Sequence, residues 1–176
     1  MKTPGKENVH RILGIDPGSR ITGYGIIDAG SNQVIFVDCG VIKVSGDDFS
    51  LRLKSIFDSL GDVIAEYDPV ELAIEKVFVH RNVTSALKLG QARGAALLAA
   101  ATRDLDVFEY SPNEIKQAVT GRGHADKVQI QHMIRVLMGL REPPAIDAAD
   151  ALAVAICHAH LAQTRKRLAI AGADAS

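Results

Sequence analysis

The amino-acid order predicts an α/β protein: a mixed five-stranded sheet, with an antiparallel meander on one side and parallel strands beyond it, flanked by helices. Three observations carry that expectation. Three strand-like runs succeed one another at the start with only short turns between them. Helical and strand-like periods then alternate, as the crossovers of parallel strands require. The opening strand, Ile12-Leu13-Gly14-Ile15, is apolar without relief, as befits a strand covered on both faces. Yet it ends on a carboxylate, Asp16, and then Pro17-Gly18, where the ladder must stop and the chain can turn sharply.

Ile21 to Asp28 reads as the second strand, Ala29-Gly30-Ser31-Asn32 as a turn, and Gln33 to Val44 as the third strand with a kink expected at Gly40. Ser45 to Asp48 is a polar break. Leu51, Leu53, Ile56, Phe57, Leu60, Val63, Ile64 and Tyr67 recur at helical spacing, so Ser50 to Tyr67 is an amphipathic helix that Asp68-Pro69 ends. Leu72 to Val77 is the next strand. Val83 to Ala101 is a helix capped by Asn82 and rich in small residues, with Gly90 and Gly94 on one face. Interior glycines each cost a helix about 1 kcal/mol relative to alanine. Close approach of another backbone is the natural compensation, either the protein's own sheet or a second copy of the chain.

Val107 to Tyr110 is the fifth strand, and Ser111-Pro112-Asn113-Glu114 combines a cap, a first-turn proline and an acid three residues on, a strong helix start. That helix runs to about Val119, a basic loop from Thr120 to Lys127 comes next, and another helix spans about Asp126 to Met138. After Pro143-Pro144 a last helix runs from about Ile146 to Arg165. Residues 1–10 and 166–176 read as flexible tails around one domain, 11–165, with no internal repeat and no linker.

Composition narrows the class. The chain has 176 residues, 47% apolar, with a net charge of −1. Charge is unevenly spread: Lys76 to Arg135 carries 9 Lys and Arg against 5 Asp and Glu, and the remainder 11 against 16. A basic middle suits a polyanionic partner, although a solvated face of mixed charge would look the same. Cys39 and Cys157 lie far apart in apolar surroundings and read as buried thiols in a reducing compartment. No apolar run is long enough to span a bilayer and the first ten residues lack an apolar core, so a cytoplasmic protein without membrane contact is expected.

A buried lone aspartate is costly to keep ionised, so Asp16 calls for a partner, and a metal ion is the natural one. Glu75, on the strand Leu72 to Val77, is the second candidate ligand. By period two it shares a face with Ala73, as Asp16 does with Gly14, and these small neighbours leave space for an ion and a substrate phosphate. Small residues also simply suit a crowded sheet. Asp147 and Asp150 lie three apart at the start of the last helix, on a face otherwise rich in alanine. Asp147 gains from the helix dipole and has a plain reading as a cap; Asp150 is harder to explain without a cation. Four oxygen donors with no His or Cys point to Mg²⁺ rather than Zn²⁺. Two such ions about 4 Å apart clamp the attacking water and the leaving oxygen of a phosphodiester.

Four segments in order, Leu-Gly-Ile-Asp-Pro-Gly-Ser-Arg at 13–20 with Thr-Gly-Tyr-Gly at 22–25, Ala-Ile-Glu-Lys-Val-Phe at 73–78, Ser-Ala-Leu-Lys-Leu-Gly-Gln-Ala-Arg-Gly at 85–94, and Asp-Ala-Ala-Asp-Ala-Leu-Ala at 147–153, resemble the RuvC family of Holliday junction resolvases within the ribonuclease-H-like nuclease superfamily. The likeness runs from about Arg11 to about His160; a short N-terminal extension is the one departure. The resemblance implies a ribonuclease-H-like fold and a homodimeric, metal-dependent endonuclease making paired nicks in opposed strands of a four-way DNA junction during recombination and repair. It implies that Asp16, Glu75, Asp147 and Asp150 are catalytic and hold two Mg²⁺ ions, with Mn²⁺ able to substitute. Phe78 matches an aromatic that stacks on an unpaired base at the junction centre, and its place just past a strand end, before His80-Arg81, suits a base platform better than a core position. Lys116 and Lys127 match phosphate-contacting residues, and both fall in the basic middle. Arg81 and Arg122 are further candidates for phosphate contact, with solvated surface positions as the alternative. The helix from Val83 matches a dimer helix, and the RuvA–RuvB branch-migration motor is the implied partner.

The chemistry expected is attack of water on phosphorus without a covalent intermediate, with Asp150 or a histidine such as His124 as candidates for assisting proton transfer. Two other readings share some of these residues. A nuclease for RNA–DNA hybrids would use the same acids without needing the small-residue helix. An actin-like ATPase or a binding module would use Asp-Pro-Gly-Ser as a phosphate loop, but needs two such domains.

Overall fold

Hydrogen bonding between strands sets the frame in the computed structural model, which describes residues 9–31, 33–77 and 82–173, with 166–173 by backbone alone. Strand β1 (His10–Asp16) pairs antiparallel with β2 (Ile21–Ala29), and β2 with β3 (Val34–Lys43). On its other side β1 pairs parallel with β4 (Glu71–Glu75), which pairs parallel with β5 (Asp106–Tyr110). The order β3-β2-β1-β4-β5 is the mixed five-stranded sheet expected, meander on one side and parallel strands on the other.

Helices cover both faces. On one lie α1 (Phe49–Tyr67) and α2 (Val83–Ala101), packed on Leu13, Ile15, Ile26, Leu72 and Ile74. On the other lie α3 (Pro112–Thr120), α4 (Lys127–Leu137) and α5 (Ile146–Ala173), packed on Ile12, Ile27, Ala73 and Tyr110. This division arises from the two-residue period of a strand: Leu13 and Ile15 face one layer, Ile12, Gly14 and Asp16 the other. Two helix starts use the side chains foreseen: Asn82 accepts from the amide of Ser85, and Ser111 with Glu114 closes a capping box. Asp48, read only as part of a polar break, caps α1 by accepting from the amides of Ser50 and Leu51. Asp126 with Gln129 forms a second box, so α4 opens one residue later than expected. Among the described residues no helix is long and apolar enough to cross a membrane.

Four details differ from the expectations. β4 ends at Glu75 rather than Val77, so the acid is its last residue. The irregularity of β3 lies not at Gly40 but at Val37, an extra residue between Phe36 and Asp38, which face Ile27 and Ile26. Gly40 is there for another reason: a Cβ would come within 2.6 Å of the Tyr24 hydroxyl. Cys39 is only half-buried, whereas Cys157 is buried; both are free thiols, pushed up to about 11 and about 12 chiefly by desolvation. Finally, α5 does not stop near Arg165. Its backbone stays helical to Ala173 through 166–173, expected as tail, because Lys, Arg, Leu and Ala offer nothing to break it before Gly172.

Candidate active site

β1 and β4 run parallel with Gly14 beside Ala73 and Ile15 beside Ile74. The next residues, Asp16 and Glu75, therefore end adjacent strands at the same level, on strands about 4.8 Å apart. Both side chains belong to the face that α5 covers. This is the carboxyl edge of the parallel strands, where open α/β sheets take their ligands. α5 brings Asp150 to the same place, and Lys127, at the start of α4, points its ammonium at it: Nζ lies 3.3 Å from Asp150 Oδ2. Asp16, Glu75, Asp150, Lys116 and Lys127 line one cleft of about 460 Å³, floored partly by Ile115.

The approach of α5 depends on glycines in β1 and β2. Gly14 pairs with Gly25, and Asp16 with Gly23. A Cβ on Gly23 would stand 1.9 Å from the Asp147 carbonyl oxygen, and one on Gly14 2.1 Å from that of Ala151. The backbone of α5 thus rests directly on the sheet, and its first turns deliver Asp147 and Asp150 beside Asp16. This corrects the purpose assigned to the small neighbours: at Gly14 the space that a side chain would fill is taken by α5, not kept for an ion or a phosphate.

Electrostatics show what the cluster lacks. Desolvation, then the charges of Asp150 and Glu75, push the Asp16 carboxyl up to about 7. Glu75 is raised by burial and by Asp150, while Lys127 and Lys116 pull it back. Asp150 is raised by burial and by Asp147, against Lys127 and Lys116. The Lys127 ammonium is stabilised by Asp150 above all. Buried acids raised by desolvation and by one another are best relieved by positive charge between them, and all-oxygen donors of this kind suit Mg²⁺. Among the described residues no three His, Cys, Asp or Glu side chains form a finished chelate. Instead the Lys127 ammonium supplies the positive charge the acids face, and in that electrostatic sense the donor set fits a divalent cation.

The remaining candidates are more scattered. Asp147 lies in the first turn of α5 and does not line the cleft, though its charge is felt by Asp16 and Asp150. Lys116 lies on the cleft wall from α3. Arg122 and His124 line an adjoining hollow of about 960 Å³ together with His132, sharing only Ala125 with the acid cleft. Phe78 and Arg81 lie outside the described residues.

Two features went unread in the sequence. Arg93 of α2 donates from Nε to the Glu75 carbonyl oxygen at 3.1 Å while its guanidinium pairs with Glu109 at 3.0 Å. A carbonyl acceptor leaves no mark in the side-chain pattern. The second is a polar chain between α5 and the sheet. His158, 1% exposed, meets the Tyr110 hydroxyl at 2.7 Å and Glu71 at 2.9 Å, and Arg165 donates to that hydroxyl at 3.0 Å. The buried polar side chain amid an apolar helix face was the available signal.

The family model described as "Crossover junction endodeoxyribonuclease RuvC" matches residues 12–158. A protein of that description from Shewanella pealeana is 55% identical over 158 residues, 90% of this chain and 91% of its own length. Another, from Marinobacter nauticus, is 55% identical over 161 residues, 92% of each. Among solved structures, Thermus thermophilus RuvC superposes with a TM-score of 0.78 at 34% identity, covering 88% of this chain and 96% of that one. The same enzyme in complex with a Holliday junction substrate gives 0.78 at 31% identity, with the same coverage. The fold is ribonuclease-H-like, as expected.

Proposed function

The chain belongs to the RuvC family of crossover junction endodeoxyribonucleases, and we propose that it resolves four-way DNA junctions by paired, Mg²⁺-dependent hydrolytic nicks in opposed strands during recombination and repair. The observation that carries this reading is the meeting of Asp16, Glu75 and Asp150 in one cleft whose other polar walls are Lys116 and Lys127. Family membership sets aside the hybrid-cleaving and ATPase alternatives.

Asp16, Glu75, Asp147 and Asp150 would hold two Mg²⁺ ions, with Mn²⁺ as a substitute. When bound, such ions would lower the pKa of the attacking water and neutralise the charge that builds on the phosphate oxygens. The chain's own residues do the placing. β1 and β4 present two carboxylates side by side, and α5 closes the set from above. Lys127, which balances Asp150 without the ion, is free to turn its exposed ammonium to the phosphate once Asp150 is neutralised otherwise, and Lys116 offers a second cation on the wall. Phe78 and Arg81, a few residues past the end of β4, are the proposed base platform and phosphate contact. Arg122, outside the acid cleft, is a proposed contact farther along the backbone.

A homodimer supplies the second nick. Val83, Leu87 and Leu98 of α2 are 64%, 64% and 55% exposed. With Gly90 and Gly94, where an added Cβ would meet no other part of the protein within 4 Å, they form one outward stripe at helical spacing. This face does not pack on the protein's own sheet, and two copies crossing at the glycines would bury it. A twofold dimer then offers two equivalent clefts to a junction of matching symmetry. The RuvA–RuvB motor as partner and a cytoplasmic location rest on the family resemblance.

The test is a cleavage assay on a mobile four-way junction, with linear duplex and RNA–DNA hybrid alongside, in Mg²⁺ and then in chelator. Paired, Mg²⁺-dependent nicks confined to the junction are expected. Binding without cutting under any divalent metal would overturn the assignment of the acids.

A further inference from the structure

β4 ends at Glu75, the residue whose side chain lines the acid cleft. The end of a strand frays unless its outer groups are tied down. One tie runs sideways to β5: the Lys76 amide donates to the Tyr110 carbonyl at 2.8 Å. The other comes from the helix layer opposite the cleft. Arg93, 17% exposed, reaches from α2 and donates from Nε to the Glu75 carbonyl oxygen at 3.1 Å. Glu109 Oε1 of β5 lies 3.0 Å from its terminal nitrogen, an ion-pair contact whose angle is poor for a hydrogen bond, so the attraction that holds the guanidinium there is of charge. The planar guanidinium therefore bridges the ends of two parallel strands, which a single ammonium does less completely.

We propose that Arg93 is a positioning residue for the reaction: clamped by Glu109, it fixes the Glu75 carbonyl and thereby the direction in which the Glu75 carboxylate enters the cleft. The inference rests on the reading of Glu75 as a catalytic acid, but its geometric half does not. Glu75 points to the α5 side while its carbonyl is held by a residue from the α2 side. Loosening the carbonyl lets the peptide plane at Glu75 rock, and the carboxylate moves with it. Groups that orient metal-binding side chains from behind typically change affinity or activity by about 10- to 100-fold when removed.

The experiment compares Arg93→Gln, Arg93→Lys and Glu109→Gln in the full chain. Junction cleavage is measured under single turnover and at varied substrate. Amide hydrogen exchange is read at Glu75 and Lys76. In Arg93→Gln the cleavage rate constant should fall about 10- to 100-fold, with junction affinity unchanged and the Mg²⁺ concentration for half-maximal rate raised. Arg93→Lys and Glu109→Gln should fall between parent and Arg93→Gln. Exchange at Glu75 and Lys76 should quicken while the amides of β1 keep their protection. Parent-like cleavage in Arg93→Gln, or loss of junction affinity in step with cleavage, overturns the proposal. So does unchanged exchange at Glu75 and Lys76. If the parent itself cuts no junction, the exchange result still decides the positioning role, and the failure belongs to the reading of the acids.

Discussion

On the proposed reading, Asp16 is the acid on which the metal chemistry most depends. Its replacement by asparagine keeps the shape and removes the charge. Asp16→Asn should bind a junction like the parent and cut it at least about 100-fold more slowly, since one charged ligand of a metal site carries several kcal/mol of transition-state stabilisation. Gel-shift and cleavage assays on the same preparation check this, and parent-like cutting would sink the metal assignment. The same residue gives the chelated protein an unusual pH dependence. Asp16 titrates near 7 in the folded chain against 3.8 ordinarily, so between those values the native state keeps a proton that the unfolded state has lost. Stability therefore falls as pH rises through that window, the reverse of an ordinary salt-bridged carboxylate. Glu75 and Asp150 shift the same way. In EDTA the urea midpoint should be lower at pH 8 than at pH 5.5. Asp16→Asn should shrink that difference, and saturating Mg²⁺ should restore the midpoint at pH 8. A midpoint that climbs with pH in EDTA would contradict the electrostatic picture. Asp16 was legible as a candidate because a charge ending an apolar strand has few explanations, and Glu75 because a lone acid interrupts an apolar strand, although its place as the last residue of β4 needed the structure. Arg93 was not, because its acceptor is a backbone oxygen that every residue possesses.

At the scale of elements, α5 matters most. Its alanine-rich face and the glycines of β1 and β2 are complementary surfaces, and the contact is backbone on backbone. Gly23→Ala would drive a methyl group into the Asp147 carbonyl. A cost of about 1–3 kcal/mol is expected, together with a loss of cleavage larger than the loss of stability, because the turn pushed away is the one bearing Asp147 and Asp150. Thermal melts beside cleavage rates would separate the two effects; a change in stability alone would show that the acids tolerate the shift. Farther along the same helix, the chain from Arg165 through Tyr110 and His158 to Glu71 ties α5 to β5 and β4. Tyr110→Phe removes the hydroxyl that two partners share, and about 1–3 kcal/mol of stability should go with it, with the metal dependence of cutting unchanged. The periods of strands and helices revealed the elements themselves. They could not reveal that Gly14 faces Gly25, or that Val37 bulges, since both depend on register between strands, which local pattern does not encode. α5 outruns its expected end near Arg165 for a simpler reason: residues 166–171 are Lys, Arg, Leu, Ala, Ile and Ala, none of which breaks a helix, a propensity that the reading as tail did not weigh.

For the whole molecule, the outward stripe of α2 is the surface that the proposed dimer would bury. Leu87→Glu places a charge at its middle, away from the acid cleft. Sedimentation should then report one chain where the parent gives two, and junctions should receive single nicks in place of simultaneous pairs. A variant that stays dimeric would move the interface elsewhere. The small-residue composition of α2 was plain from the sequence; that its glycines face outward and not onto the sheet needed the fold.

The chain order of the acids has a consequence for the cell that makes this protein. Asp16 and Glu75 emerge early in synthesis, but Asp150 belongs to the last helix. A fragment ending before Ile146 would carry two of the four proposed acids, Asp16 and Glu75, without Asp147 and Asp150. On the proposed reading the site is therefore assembled only after the chain has been made as far as α5. An endonuclease arranged the other way round, complete in its first hundred residues, would let every aborted chain loose on the genome already armed.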